Sequence, residues 1–322
     1  MPEYNIIGRS DMPDSLIPEQ EVNEIIKMAP ESSVMLTNAR RARMSSKKYK
    51  QPVLTTLPDA YWVNGDTGLK QTTSADWDDL TITAEELAVI VPIPDALVDD
   101  ASVNLWSEVR PLIAEAIGKK VDQAAIFGTD KPESWPASIV SAASAAGNYV
   151  VRGTFEDLGV DVAKLGERVA GQGYGINGFI SKPGMQWQLM GLRDDNGQPI
   201  YTPLAGRPEN GLYGYQLNEV MNGAWDATAA DLIALDWSKQ IIGIRQDVTY
   251  RIFTEGVISD ANGKVLLNLM QQDTSALRVV FRVGYQVAKP ATRVGDGTIY
   301  PGGVVLPAGA GGVTGVTGVT GA

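Results

Sequence analysis

Histidine and cysteine are both missing from this 322-residue sequence. The first absence removes the side chain that most often acts as a general base near neutral pH and most often ligates transition metals. The second removes the thiol nucleophile, the thiolate metal ligand and the disulfide. Long apolar runs are scarce as well. The longest, Leu87 to Val98, is interrupted by Pro92, Pro94 and Asp95 and is too short to span a bilayer, so no membrane partner is expected. Positive charge is in deficit, with 27 Lys and Arg against 38 Asp and Glu and a net charge of −11. Such a chain grips polyphosphate poorly, because that affinity comes from Lys and Arg displacing counterions. The opening Met1-Pro2-Glu3-Tyr4-Asn5 is polar and acidic, unlike a secretory signal, and points to a soluble protein made inside the cell. These absences shift expectation from a reaction toward a surface: no catalytic residue, metal ligand or cofactor is assigned.

What is present is ordinary globular material. Apolar residues make up 44% of the chain and charged residues 20%, enough to bury a core. The length suits two domains at about 150 residues each. The front of the chain does not read as a compact domain. Pro18 opens a predicted short helix through Met28, which Pro30 ends. A basic run follows: Arg40, Arg41, Arg43, Lys47, Lys48 and Lys50, with no acid among them. Two extended segments, Val53 to Leu57 and Leu80 to Ile93, flank a polar stretch with Asn64-Gly65 and Thr67-Gly68. They predict a long hairpin arm that cannot be stable alone and must lie on its own body or on another subunit.

The strongest helical pattern runs from Ser102 to Phe127, about 38 Å at 1.5 Å per residue. Leu105, Val109, Leu112, Ala116, Val121, Ala124 and Ala125 form its expected apolar stripe, with Glu108, Arg110, Glu115, Lys119 and Asp122 placed off it. Gly128 suits a C-terminal cap, and Pro111 blurs the start. Residues 129–153 read as loop. Beyond them come a helix over Asp157 to Ala170, a strand over Gly178 to Ser181 and a helix over Pro183 to Leu192, then a glycine-rich stretch. Strands at Val248 to Ile258 and Lys264 to Met270 flank Asn262-Gly263, a hairpin signal. The clearest strand has Leu277, Val279, Phe281, Val283, Tyr285 and Val287 at period two. The repeated Val-Thr-Gly at the end reads as a flexible tail, with a strand pairing to a neighbour as the other reading.

Several motifs fail on context. Gly173-Tyr174-Gly175-Ile176-Asn177-Gly178 spells GxGxxG, yet it follows a helix and precedes a strand, the reverse of a dinucleotide site. Asp194-Asp195-Asn196-Gly197 suggests a calcium loop, but aligning Gly197 puts Leu192 and Pro203 at ligand positions. Ser45-Ser46-Lys47-Lys48 fits a Ser/Lys nucleophile pattern without its partner motifs. No GKS or GKT phosphate loop exists. The basic run has three readings: a solvated arm, a partner for Asp76, Asp78, Asp79, Glu85 and Glu86 of a neighbouring subunit, or a nucleic-acid contact. Trp62, Trp77 and Trp106 suit core or interface anchors, and Lys70 an exposed lysine at the arm's tip.

The ordered set of segments resembles the major capsid proteins of tailed bacteriophages, the Hong-Kong-ninety-seven-type shell fold. Leu16 to Val22 with Ile25-Ile26 and Ser32-Ser33-Val34 is similar to that family's N-terminal arm. Ala60-Tyr61-Trp62-Val63, Leu80-Thr81-Ile82 and Leu87 to Ile93 resemble its extended loop and base strands. Pro94 to Asp100 resembles the small helix before the spine helix. Asn177 to Ile180 with Leu192 to Tyr201 resembles the axial domain, and Leu277 to Pro290 the closing peripheral strand. The likeness spans about residues 15 to 295. It implies an α+β chain with an N-terminal arm (1–45), a β-hairpin extended loop (46–82) and a first part of the peripheral domain (83–153) holding a spine helix at 102–128. An axial domain (154–240), a second peripheral part (241–300) and a Gly/Val/Thr-rich tail (301–322) complete it.

The resemblance further implies a structural protein, not an enzyme. Copies of it would form pentamers and hexamers of an icosahedral shell enclosing double-stranded DNA without specific binding. Portal, scaffolding and decoration proteins are the other expected partners, and the virion, assembled in the host cytoplasm, is the expected location. Expected inter-subunit contacts are Arg40, Arg41, Arg43, Lys47, Lys48, Trp62, Lys70, Asp76, Trp77, Asp78 and Asp79. Departures are visible. Asn64-Gly65-Asp66 follows the Trp-Val pair where the family often has a glutamate. The N-terminal stretch looks too short for a fused scaffolding segment. Lys70 lacks an identifiable asparagine or glutamate for an isopeptide crosslink. An encapsulin-like compartment and a His/Cys-free α/β enzyme are the alternatives.

Overall fold

The computed structural model describes residues 33–63, 68–101, 104–155, 157–191, 211–260, 262–294 and 298–309. The expected helix at Pro18 to Met28, the Asp194–Gly197 turn and the Val-Thr-Gly repeats lie outside them. The chain opens with α1 (Val34–Asn38) and β1 (Arg40–Arg43), then the hairpin of β2 (Lys48–Thr56) and β3 (Asp76–Thr83). Next come β4 (Glu85–Pro94), α2 (Asp95–Asp100), α3 (Leu105–Ile126), α4 (Ile139–Ala145) and β5 (Tyr149–Val151). A middle block holds α5 (Leu158–Gly171), β6 (Gly178–Ser181), α6 (Met185–Met190), β7 (Gly211–Leu212), β8 (Tyr215–Glu219) and β9 (Leu232–Leu235). Two long strands, β10 (Gln240–Phe253) and β13 (Thr274–Val287), bracket the small hairpin of β11 (Val257–Ser259) and β12 (Val265–Asn268). The final strand is β14 (Gly302–Leu306).

One sheet has the order β1-β10-β13-β4. Its apolar face is the period-two row read in the sequence: Leu277, Val279, Phe281, Val283, Tyr285 and Val287 are all buried in one core. Against it lies α3, a helix of 22 residues and so about 33 Å long. Asn104 caps its start, its side chain accepting from the Ser107 N–H, and Gly128 (φ 80°) closes its end by donating to the Gln123 carbonyl. The helix runs through Pro111, which deprives the Ser107 carbonyl of its intrahelical donor. Its buried stripe differs from the expected one. Ile113 and Ile117 face the core, while Leu112 and Ala116 face out, because the i+4 steps leading to Val121 and Ala125 pass through 113 and 117.

The second sheet has the order β5-β14-β9-β6-β8-β7 and is covered on both faces. Alternate residues split between two cores. Ile233, Leu235, Val304 and Leu306 join the α3 side, whereas Leu232, Ala234 and Val305 pack with Leu158, Val162 and Leu165 of α5. A strand buried on both faces needs a continuous apolar run, and Leu232-Ile233-Ala234-Leu235 is one.

Three expectations change here. Residues 129–153 are not all loop: Ser138 caps α4 through the Ser141 N–H, and β5 pairs with β14. The expected tail from 301 begins with a wholly buried strand instead, because Val304-Val305-Leu306 fills the gap between β5 and β9 while Gly302 and Gly303 admit the close backbones beside them. Leu80 to Ile93 is not one strand but two. It breaks at buried Ala84, with β3 staying in the arm and β4 entering the main sheet. The GxGxxG segment is the helix-to-strand turn that its context requires: Gly173 has φ 82°, and a Cβ at Gly178 would strike the Trp237 indole.

Candidate functional site

The basic run is not a free arm. Arg40–Arg43 pair in parallel with Ile241–Ile244, forming the edge of the main sheet. Arg41 turns back to donate from Nε (3.0 Å) and Nη2 (2.8 Å) to the Leu36 carbonyl, satisfying the end of α1. Arg40, Arg43, Lys47 and Lys48 are exposed. The acids proposed to meet this run across a subunit boundary are partly used within the chain. Lys50 Nζ lies 3.1 Å from Asp79, Lys47 Nζ 3.8 Å from Glu85, and Arg282 grips Glu86 through Nη2 at 2.7 Å and Nε at 2.9 Å. Asp76 and Asp78 are exposed and form no ion pair among the described residues. Exposed pairs of this kind contribute about 0–1 kcal/mol. Lys50→Ala is therefore expected to lower stability by less than about 1 kcal/mol in denaturant titration.

The β2–β3 hairpin pairs Lys48 with Thr83 at its foot and Thr56 with Asp76 further out. Its foot rests on the main sheet. Ile82 and Met44 are buried with Ile241, over a notch where Gly243 and Gly284 face each other on β10 and β13. A second tie joins the arm to the segment after β13: the Ala291 N–H donates to the Leu54 carbonyl, and Arg293 reaches both Asp59 (3.2 Å) and the Pro58 carbonyl (2.7 Å). Farther out, cover is lost. Trp62 is 101% exposed, Leu69 91% and Trp77 67%. Lys70 is exposed too. Trp106 differs, being half-buried against the main core. Two exposed indoles and a leucine on a two-stranded ribbon are what a soluble monomer avoids and an interface uses.

One polar cluster was missed in the sequence. Asp122, placed there among the solvent-facing charges of α3, is fully buried. Its Oδ1 accepts from Ser33 Oγ (2.6 Å) and the Met35 N–H (3.1 Å), and its Oδ2 from the Val34 N–H (3.1 Å) and Asn222 Nδ2 (2.7 Å). One carboxylate thus ties the start of α1 and the loop after β8 to the central helix. Burial pushes the Asp122 carboxyl above its ordinary value, and the hydrogen bonds from Ser33, Asn222, Met35 and Val34 oppose that rise. The available signal was Gly118, one turn earlier, where a Cβ would lie 3.1 Å from the Ser33 Cβ.

No group of three or more metal-ligating side chains occurs among the described residues, and no described helix is long and apolar enough to cross a membrane. The architecture is a mixed sheet-and-helix body with a long, sparsely covered arm. The profile of the phage capsid family matches residues 14–292. The chain belongs to the phage capsid family. It is a capsid protein, a structural component of a virion rather than a member of an enzyme class. The major capsid protein of Staphylococcus phage 80alpha is 26% identical over 279 residues, covering 85% of this chain and 82% of that one. The major capsid protein of Klebsiella oxytoca phage phiKO2 is 25% identical over 281 residues, covering 82% of this chain and 63% of that one. A solved structure from Microbacterium phage Oxtober96 superposes with a TM-score of 0.83 at 37% identity, covering 94% of this chain and 99% of that one. One from Mycobacterium phage Cain gives 0.82 at 33%, covering 95% and 100%. A capsid of a native GTA particle, at 17% identity and a TM-score of 0.69 over 95% of this chain and 100% of that one, shares the fold alone. As in the resemblance read from the sequence, this capsid chain has the tailed-phage shell fold, with a hairpin arm, a spine helix on a long-stranded sheet and a second α/β body.

Proposed function

We propose that this chain is the major subunit of a closed icosahedral shell, assembling as pentamers and hexamers around double-stranded DNA. The observation that carries the reading is the β2–β3 hairpin, whose Trp62, Leu69 and Trp77 have so little cover within their own chain. Family membership makes self-association the natural source of that cover. In this reading the four-stranded sheet with α3 is the peripheral body, and the six-stranded sheet with α5 is the axial body facing the ring centres. The hairpin lies over the spine helix or sheet of an adjacent subunit. Arg40, Arg43 and Lys48 would meet acids of a neighbour, with Asp76 and Asp78 the exposed carboxylates that fit them. Lys70 and Trp77 would sit within the same contact. The net charge of −11 suits a container that encloses DNA without gripping it. Portal, scaffolding and decoration proteins are the remaining partners, and assembly takes place in the host cytoplasm.

Negative-stain electron microscopy of the overexpressed protein is the direct test. Closed particles are expected, and a monodisperse species of tens of kilodaltons at every concentration would overturn the proposal. Trp62→Ala gives a second test. A side chain this exposed stabilises the isolated subunit by no more than about 0.5 kcal/mol. The variant should therefore melt like the parent while forming far fewer particles by light scattering, and normal particle yield would count against the proposal.

A further inference from the structure

We propose that Asn262, in the turn between β11 and β12, is a site of spontaneous covalent modification, converting to aspartate and isoaspartate while the other described Asn-Gly pairs are protected. The inference goes beyond the shell reading and does not depend on it. Asn-Gly is the pair in which this chemistry is easiest, because glycine has no side chain to shield its nitrogen from the asparagine carboxamide. Three such pairs fall wholly within the described residues: Asn177-Gly178, Asn222-Gly223 and Asn262-Gly263. The sequence alone does not distinguish them, but the bonds of their side chains do.

Asn177 and Asn222 are held at both ends of the carboxamide. Asn177 Nδ2 donates to Asp236 Oδ1 (3.1 Å), and its Oδ1 accepts from the Trp237 N–H (2.8 Å). Asn222 is buried, its Nδ2 donating to Asp122 Oδ2 (2.7 Å) and its Oδ1 accepting from the Ala224 N–H (3.0 Å). Gly178 is also buried, in a strand paired on both sides. Neither carboxamide can swing to the following nitrogen without breaking two hydrogen bonds. Asn262 differs on each count. It is exposed, and its carboxamide has no hydrogen-bond partner among the described residues. Asp260 holds the turn instead, its Oδ1 accepting from the Asn262 and Lys264 N–H groups, both at 2.9 Å. Nothing lies within 4 Å of the place a Cβ would take at Gly263 (φ 82°), which leaves that residue open to solvent. One restraint remains, the Gly263 N–H donating to the Asp260 carbonyl at 3.0 Å. It belongs to a hairpin of two short strands, the kind of element that opens locally at little cost.

The Gly263 amide loses its proton to solvent base, and its nitrogen attacks Asn262 Cγ. The new N–C bond closes a succinimide ring, the Cγ–Nδ2 bond breaks, and the nitrogen leaves as ammonia after taking up a proton. Water then opens either ring carbonyl. One route leaves aspartate, and the other leaves isoaspartate, whose main chain runs through the former side chain. The balance is one water in and one ammonia out, with no oxidant or reductant. Either product adds a negative charge to a chain already at −11. Isoaspartate also lengthens the turn by one carbon, which disturbs the register that pairs Ile258 with Leu267 and Ser259 with Val265.

Trypsin makes the test direct. Cleavage after Arg251 and Lys264 releases 252–264, in which Asn262 is the sole asparagine. After the folded, full-length protein is held in mildly alkaline buffer, this peptide should yield two new forms, heavier by the difference between a hydroxyl and an amino group. Fragmentation should identify one as aspartyl and the other as isoaspartyl. Conversion at Asn177 and Asn222 should be slower by about tenfold or more, as two retained hydrogen bonds require. In urea all three should convert at comparable rates, and Asn262→Gln should remove the new forms of 252–264. A folded-state rate at Asn177 or Asn222 equal to that at Asn262 would overturn the assignment. So would an Asn262 that converts only in urea, or not at all.

Discussion

Replacing Asp122 with alanine is expected to destabilise the unassembled subunit by about 2–4 kcal/mol, the cost of leaving several buried donors without their acceptor. The loss is not confined to one contact. Ser33 Oγ, the Val34 and Met35 N–H groups and Asn222 Nδ2 would all lose their acceptor in a buried site. Thermal or urea unfolding of the subunit measures the change; a shift below about 0.5 kcal/mol would show the network to be dispensable. Asp122→Asn separates shape from charge. The amide fits the space and keeps one oxygen, but turns an NH₂ toward donors, and should cost about 1–3 kcal/mol.

The same residue gives a pH signature. Burial raises its folded pKa above the unfolded value, so the protonated acid is favoured by folding. Its contribution is then complete below the unfolded value of about 3.9 and declines as pH rises through the higher folded pKa. The stability gap between parent and Asp122→Asn should narrow over that rise, and a gap independent of pH would contradict the assignment.

Gly284→Val is the second large effect. A Cβ at position 284 would lie 2.6 Å from the Thr83 carbonyl oxygen and 2.8 Å from Ile82 Cγ2. The first of these is backbone and cannot swing aside, so the foot of the hairpin must lift from the sheet. Overpacking of this kind costs about 1–3 kcal/mol. The larger consequence is directional, because the arm would leave the body at another angle and its exposed indoles would miss their neighbour. Melting should fall by the corresponding few degrees, while particle formation, followed by electron microscopy, should be lost. Normal particles from Gly284→Val would refute the notch as the origin of the arm's trajectory.

What the sequence disclosed follows physical rules of thumb closely. The row from Leu277 to Val287 was readable because a strand buried on one face alternates. The C-terminal half of α3 was readable because apolar spacing and Gly128 agreed. β14 was not, since its five residues include two glycines and no polar alternation. Nor was β1, where Arg40-Arg41-Ala42-Arg43 carries little strand propensity and is held by the distant Ile241–Ile244. Asp122 escaped because a carboxylate on a charged helix usually faces water, and only its partners 87 to 100 residues away reveal otherwise. Trp62 was legible only as a candidate contact, and its near-total exposure belongs to the three-dimensional arm.

The position of β14 also bears on when this protein becomes competent. Residues 302–306 fill the slot between β5 and β9, so the six-stranded sheet stays open until residue 306 has been synthesised and has left the ribosome. Pairing across roughly 150 intervening positions, Val304 with Tyr149, makes its closure a late event in folding. Chains that stop before residue 302 are expected to lack a finished second body.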